Sequence, residues 1–243
     1  MKFQKITFIL FFIPFISFTQ NIEPGGITAR TQTALYDIFE KSRNPDAIEN
    51  DKILGSQYYQ VYFSYGKIFL KGKELENDYT FRYNAYSDEI EVNNGSDLTF
   101  LLKDTNISCE IGEDRYSYQK YIKKNSDDIQ FGYLKTIFGG KKVSLYLKEI
   151  KKFKEGKKAK NSLTTAVPPK LIDFEVFYFS KTGETPHKIK LKNKDLLKMI
   201  SSTHKSEMEA YIKENKINIK NRVDLIAFFK FYDSLLSTNN SNI

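Results

Sequence analysis

The chain has 243 residues, of which 40% are hydrophobic and 15% aromatic, with 20 Phe, 16 Tyr and no Trp. That length supports one large domain or two small ones, with a core large enough to do without disulfides, and the composition excludes a disordered polymer. A single cysteine, Cys109, excludes an internal disulfide framework, and because it lies far from the N-terminal apolar run no lipoprotein anchor is expected.

The N-terminus reads as an export signal over residues 1–19. Lys2 and Lys5 form a basic start, an apolar run extends from Ile6 to Phe18, and Ser17 and Thr19 stand where cleavage before Gln20 requires short residues. The run is shorter than the roughly 20 residues that span a bilayer and Pro14 interrupts it, so cleavage is expected rather than a membrane anchor. No transmembrane segment is expected afterwards. The expected location is periplasmic, outer-membrane-associated or extracellular.

Residues 20–55 read as an N-terminal arm. Pro24-Gly25-Gly26 breaks regular structure, and Leu35, Ile38 and Phe39 have helical spacing within Thr33–Lys41. Over 56–153 the pattern turns to period two, as in strands with one face packed. Tyr59, Val61 and Phe63 alternate, and Ile68 and Leu70 follow. The clearest pair is Tyr79–Ala85 and Asp88–Val92. A turn at Tyr86-Ser87 sets Tyr83 opposite Ile90 and Phe81 opposite Val92 on an inner face. It also sets Arg82 opposite Glu91 and Asn84 opposite Glu89 on a wet outer face. Further strands are predicted at Leu98–Leu102, Ile107–Ile111, Arg115–Ile122, Phe131–Phe138 and Val143–Ile150.

Residues 154–170 read as a basic linker, within a crowd of lysines that begins at Lys151 and ends at Val167-Pro168-Pro169. Residues 171–238 read as a β-hairpin, Asp173–Ser180 with His187–Leu191, followed by helices. Asn193 is expected to cap a helix carrying Leu196, Leu197 and Ile200. A second carries Met208, Tyr211 and Ile212, and Asn221 caps a third with Asp224 three residues on. The fold class expected is α+β: an antiparallel β meander or incomplete barrel followed by a small C-terminal helical segment.

Several of these stretches resemble an uncharacterised family of secreted proteins of Bacteroidetes, a domain of unknown function. The resemblance rests on Gly55-Ser56-Gln57-Tyr58, where the family usually reads Gly-Ser-Pro-Tyr, and on the turn at Gly72-Lys73. It also rests on Arg82–Tyr86 with Asp88–Glu91, on Ser144–Lys148, and on Tyr211–Lys213, Ile219-Lys220 and Asp224–Ile226. It spans roughly 55–236 and implies an envelope location, with no activity, cofactor or site.

Charge is uneven. Residues 1–140 hold 16 Lys+Arg against 19 Asp+Glu, whereas 141–243 hold 22 against 11, a net of +11. The basic half points to an anionic partner: lipid, polysaccharide or an acidic envelope protein, with nucleic acid disfavoured for an exported chain. The candidate binding residues are Arg82, Asn84, Glu89 and Glu91 on the hairpin, beside Asp88, and Lys151, Lys152, Lys157 and Lys158 in the basic stretch. His187 and His204 stand apart from any cysteine or paired carboxylates, so no metal, cofactor or catalytic residue is assigned. The reading is a non-enzymatic binding or structural module. The alternative is a periplasmic carrier of a lipid or other apolar ligand inside the β half.

Overall fold

The computed structural model describes residues 39–40, 53–95, 98–124, 128–161 and 165–238. The segment expected to be an export signal, and most of the expected N-terminal arm, lie outside these residues. The strands are β1 (Phe39–Glu40), β2 (Ser64–Leu70), β3 (Lys73–Leu75), β4 (Thr80–Asn84), β5 (Glu89–Asn93) and β6 (Leu98–Leu101). They continue with β7 (Ile107–Ile111), β8 (Asp114–Ile122), β9 (Ile129–Gly139), β10 (Val143–Lys154), β11 (Lys170–Lys181) and β12 (His187–Lys188). Three helices follow: α1 (Asn193–Met199), α2 (Lys205–Glu214) and α3 (Arg222–Thr238). The class is α+β, strand-rich and mostly antiparallel, with the helices at the C-terminal end and without closure into a barrel.

The strands run in the order β1-β6-β5-β4-β2-β7-β8-β12-β11-β10-β9, with β3 beside β2 and β8 also paired to β9. The one parallel pairing among these strands is His187 of β12 against Ile122 of β8. Strand β2 carries the chain round a corner: Ser64 and Tyr65 pair with β4, whereas Gly66 to Leu70 pair with β7. Gly66 stands at this corner because a Cβ there would overlap the Glu110 carbonyl oxygen and lie 2.9 Å from the Phe81 ring.

A second irregularity shapes the middle of the molecule. Strands β9 and β10 pair only from Ser144↔Gly139 to Leu147↔Lys135. Beyond that point β9 stays with β8 as far as Ile129, and β10 stays with β11 as far as Lys154↔Lys170. The two strands therefore fork, and the tip of the β4–β5 hairpin enters the fork. The Lys151 N–H donates to the Ala85 carbonyl at 2.9 Å, and the Tyr133 N–H donates to Asp88 Oδ1 at 3.3 Å. Gly132 leaves room for this approach, since a Cβ there would overlap the Asp88 carboxylate and lie 2.6 Å from Lys148 Nζ.

Two cores result. One lies among β2, β4, β5, β7, β8 and β9 and contains Ile68, Phe81, Tyr83, Ile90, Val92, Cys109, Ile111, Tyr116 and Tyr133. The other packs Val143, Leu145, Leu147, Phe177 and Phe179 against Leu196, Met208, Ile212, Leu225, Phe228 and Tyr232 of the helices. Each large apolar side chain among them contributes about 1.5–3 kcal/mol when fully removed from water. The Asn221 side chain caps α3 by accepting from the N–H groups of Val223 and Asp224 at 2.8 and 3.3 Å. Asp233 near the other end of α3 accepts from the N–H groups of Lys141, Lys142 and Val143, which docks the helix on the β9–β10 turn.

The hairpin register matches the expectation residue for residue: Phe81↔Val92, Arg82↔Glu91, Tyr83↔Ile90 and Asn84↔Glu89. Four expectations of local structure need correction. Lys192, not Asn193, holds the N-cap position of α1, without a side-chain cap, and Asn193 is the first helical residue. Phe39–Glu40 are strand, paired with Leu101 and Phe100, where the spacing over Thr33–Lys41 predicts helix; the rest of that segment lies outside the described residues. Tyr59, Val61 and Phe63 alternate without forming a strand, because the chain there crosses over β4 and β5 rather than joining a ladder. The strand predicted to end at Ile150 continues through Lys154, so Lys151 and Lys152 belong to the sheet. The continuous ladder to Lys170–Asp173 outweighs the weak strand preference of consecutive lysines.

Candidate functional site

The hairpin residues Arg82, Asn84 and Glu91 do come together, but beneath protein rather than in water. Glu91 is 4% exposed and Asn84 is 5% exposed. The Gln57–Phe63 segment covers them. Tyr58 donates its hydroxyl to Glu91 Oε1 at 2.8 Å, and Asn84 Nδ2 donates to Gln57 Oε1 at 2.9 Å and to Glu91 Oε1 at 3.2 Å. Arg82 donates to Glu91 Oε2 through Nε at 3.1 Å and Nη2 at 2.6 Å, and to the Val61 carbonyl through Nη1 at 2.9 Å. Its guanidinium lies 3.6 Å from the Tyr58 ring centre and 4.3 Å from that of Phe63, the geometry of a cation between aromatic faces.

The wet face expected from the alternation is thus a covered one. Burial first, and then the hydrogen bond to Glu91, holds the Tyr58 phenol well above its ordinary pKa. Every polar group in this cluster that points at Glu91 is already committed, which makes the cluster a clamp for Gln57–Phe63. Glu89 stands apart from it, 3.8 Å from Lys103.

A second polar cluster lies deeper in the fork, and of its members the sequence reading singles out only Asp88. Lys148 Nζ donates to both oxygens of Asp88 at 2.9 Å and to the Tyr133 carbonyl at 3.2 Å. Tyr83 donates to Asp88 Oδ1 at 2.6 Å. One strand pair away, Lys135 Nζ lies 2.6 Å from Glu149 Oε1 and 3.1 Å from Asp114 Oδ2, and Tyr116 donates to Glu149 Oε2 at 3.0 Å.

Desolvation pushes the Lys148 amine below its ordinary pKa against the opposing pull of Asp88. Burial, then Asp88, pushes the Tyr83 phenol far up, and burial, then Glu149, does the same to Tyr116. These phenols are therefore held as hydrogen-bond donors. Strand phase is the signal that points to this cluster: Val143, Leu145 and Leu147 alternate inward, and Glu149 and Lys151 continue the same stripe into the interior. Matched donors and acceptors fill the cluster, so it ties the hairpin tip to β9 and β10.

Beyond the fork, β10 and β11 extend as a two-stranded arm, joined at Lys170 by a short parallel bridge from Leu54. Of the lysine candidates, Lys151 is buried, with its amine 2.6 Å from Asp173 Oδ1 and 4.3 Å from the Tyr59 ring centre. It belongs to the root of the arm rather than to a contact surface. Lys152, Lys157 and Lys158 are exposed. Lys157 pairs with Val167 across the arm through both backbone N–H groups at 2.8 Å, so the loop after β10 begins as a continuation of the ladder. Between residues 152 and 170 there are six lysines and one glutamate. Exposed among them or beside them are Phe153, Val167 and Phe174.

The remaining candidates for chemistry are dispersed. Cys109 is fully buried on β7, where burial raises its thiol well above the ordinary range. His187 is exposed on β12, and His204 is buried with Nδ1 3.7 Å from Glu207. Among the described residues no three His, Cys, Asp or Glu side chains converge as a metal site, and no helix is long and apolar enough to cross a membrane. Among the described residues, clefts of about 390 and 350 Å³ lie at two surface junctions. One is lined by Thr105, Lys120, Phe131 and Glu184, the other by Leu191, Asn193, Ile217 and Lys220. Neither brings a histidine or cysteine beside a carboxylate.

No protein-family model matches this chain, and no curated protein or solved structure shows significant similarity to it.

Proposed function

We propose that this chain is an exported, non-enzymatic binding module of the cell envelope that engages an anionic partner through the β10–β11 arm. The observation that carries the reading is the concentration of exposed lysine on that arm, with six lysines against one glutamate over residues 152–170. The export-like start and the resemblance to secreted Bacteroidetes proteins support the envelope location. The root of the arm is braced by Lys151–Asp173 and by the hairpin tip at Ala85, so the lysines are presented on a stiff support and little order has to be gained on binding.

The carrier reading is less favoured. The aromatic side chains that would line a hollow β half are packed on one another, with Tyr83 5.1 Å from Tyr116 and 6.2 Å from Tyr133 between ring centres.

The test is co-sedimentation of the exported, processed chain with two polyanions at low salt: dextran sulfate coupled to beads, and vesicles containing phosphatidylglycerol. Binding is expected to at least one, weakening as salt is raised because exposed charges are screened within about 10 Å at 0.1 M. The triple reversal Lys152→Glu, Lys157→Glu and Lys158→Glu should abolish it. Undiminished binding by the triple variant, or no binding by the unmodified chain, would overturn the proposal.

A further inference from the structure

Apolar exposure on the arm narrows the partner beyond a generic polyanion. Residues paired across an antiparallel ladder share a face, and successive pairs alternate faces. The register places Ile150 with Phe174, Lys152 with Ile172, and Lys154 with Lys170 on one face. The intervening pairs, Lys151 with Asp173 and Phe153 with Leu171, lie on the other face, where the Tyr59 ring meets the Lys151 amine and Phe153 is 43% exposed. The first face is open: Phe174 is 41% exposed, Lys152, Lys154 and Lys170 are exposed, and Ile150 and Ile172 are only partly covered. Lys152 Nζ lies over the Phe174 ring, 4.8 Å from its centre, a cation–π contact that sets charge and aromatic surface together on this face.

We infer that this face of the arm docks on an anionic lipid bilayer, with Phe174 entering the interface and Lys152, Lys154 and Lys170 meeting the headgroups. The inference rests on the anionic-partner reading above and deepens it. A soluble polysaccharide offers the lysines anionic groups but no hydrocarbon for Phe174, and an acidic protein would have to set an apolar pocket beside its carboxylates. A bilayer interface supplies negative headgroups and hydrocarbon at adjacent depths. Charge and apolar exposure on the same stiff ribbon face match both layers at once.

The absence of tryptophan makes the test direct. In the exported, processed chain, Phe174→Trp installs a single indole on the arm. Tyr62→Trp, at an 85% exposed position outside the arm, serves as the control in a separate variant. Vesicles of phosphatidylcholine with phosphatidylglycerol should shift the emission of the Phe174→Trp variant to the blue and allow its quenching by brominated acyl chains. The emission of the Tyr62→Trp variant should stay unchanged. Phe174→Ser should weaken sedimentation with these vesicles about fivefold, as loss of part of a buried phenylalanine implies. Its binding to dextran sulfate should be unaffected. Lys152→Glu with Lys154→Glu should weaken vesicle binding tenfold or more, at about 1 kcal/mol for each basic residue near the surface. Unshifted emission from the Phe174→Trp variant in sedimented protein would overturn the bilayer inference. Binding to dextran sulfate without binding to vesicles would overturn it too, while leaving the anionic-partner reading in place. Binding to neither would overturn both.

Discussion

Replacing Lys135 by methionine should destabilise the protein by about 3–5 kcal/mol, the range for removing one partner of a buried ion pair. The Lys135 and Glu149 side chains are 8% and 5% exposed, and the amine is 2.6 Å from the carboxylate. Without the amine, Glu149 keeps only the Tyr116 hydroxyl as a close donor, in a site with little access for water. The double change Lys135→Met with Glu149→Gln should recover most of the loss, because it removes the stranded charge and keeps an acceptor for Tyr116. Urea denaturation decides the matter. A lower midpoint at unchanged slope is expected for the single variant, with substantial return in the double. A single variant within about 0.5 kcal/mol of the parent would show that the pair is not buried as described.

Gly66→Ala should be of similar severity. The added methyl would overlap the Glu110 carbonyl oxygen across the β2–β7 ladder and press the Phe81 ring, both fixed parts of the structure. Neither can yield without separating strands at the corner where β2 passes from β4 to β7. Overpacking of this kind costs about 3 kcal/mol. Gly139→Ala is the matched control: its added methyl would meet only Thr136 Cγ2, at 3.7 Å, and the expected change is within about 1 kcal/mol. Equal behaviour of the two variants in thermal melts would contradict the corner geometry.

Legibility in the sequence followed the physics of each element. The β4–β5 hairpin could be read to the residue because a one-step slip would set Phe81 and Tyr83 against carboxylates. The third helix could be placed because Asn221 carries its own cap signal. What could not be read was which faces the chain itself would cover. Alternation marked Arg82, Asn84 and Glu91 as a wet face, and only the path of Gln57–Phe63 over the hairpin buries them. The fork of β9 from β10 is likewise a long-range event, set by the Asp88 tip entering between them, and no local pattern near Lys135 or Leu147 announces it.

The lysine cluster teaches the converse. Its composition reads as a linker, whereas Lys151, Lys152 and Lys154 are strand residues because Lys170–Asp173 pair with them. Burial then divides the candidates: Lys151 is consumed in the root of the arm, and Lys152, Lys157 and Lys158 remain outside.

The most direct measurement of the central claim is amide hydrogen exchange of the chain, free and bound to phosphatidylglycerol vesicles. Added protection confined to the arm, at Lys151–Lys160 and Thr165–Val176, is the predicted result. Protection elsewhere with the arm unchanged would contradict the assignment of the arm as the contact surface.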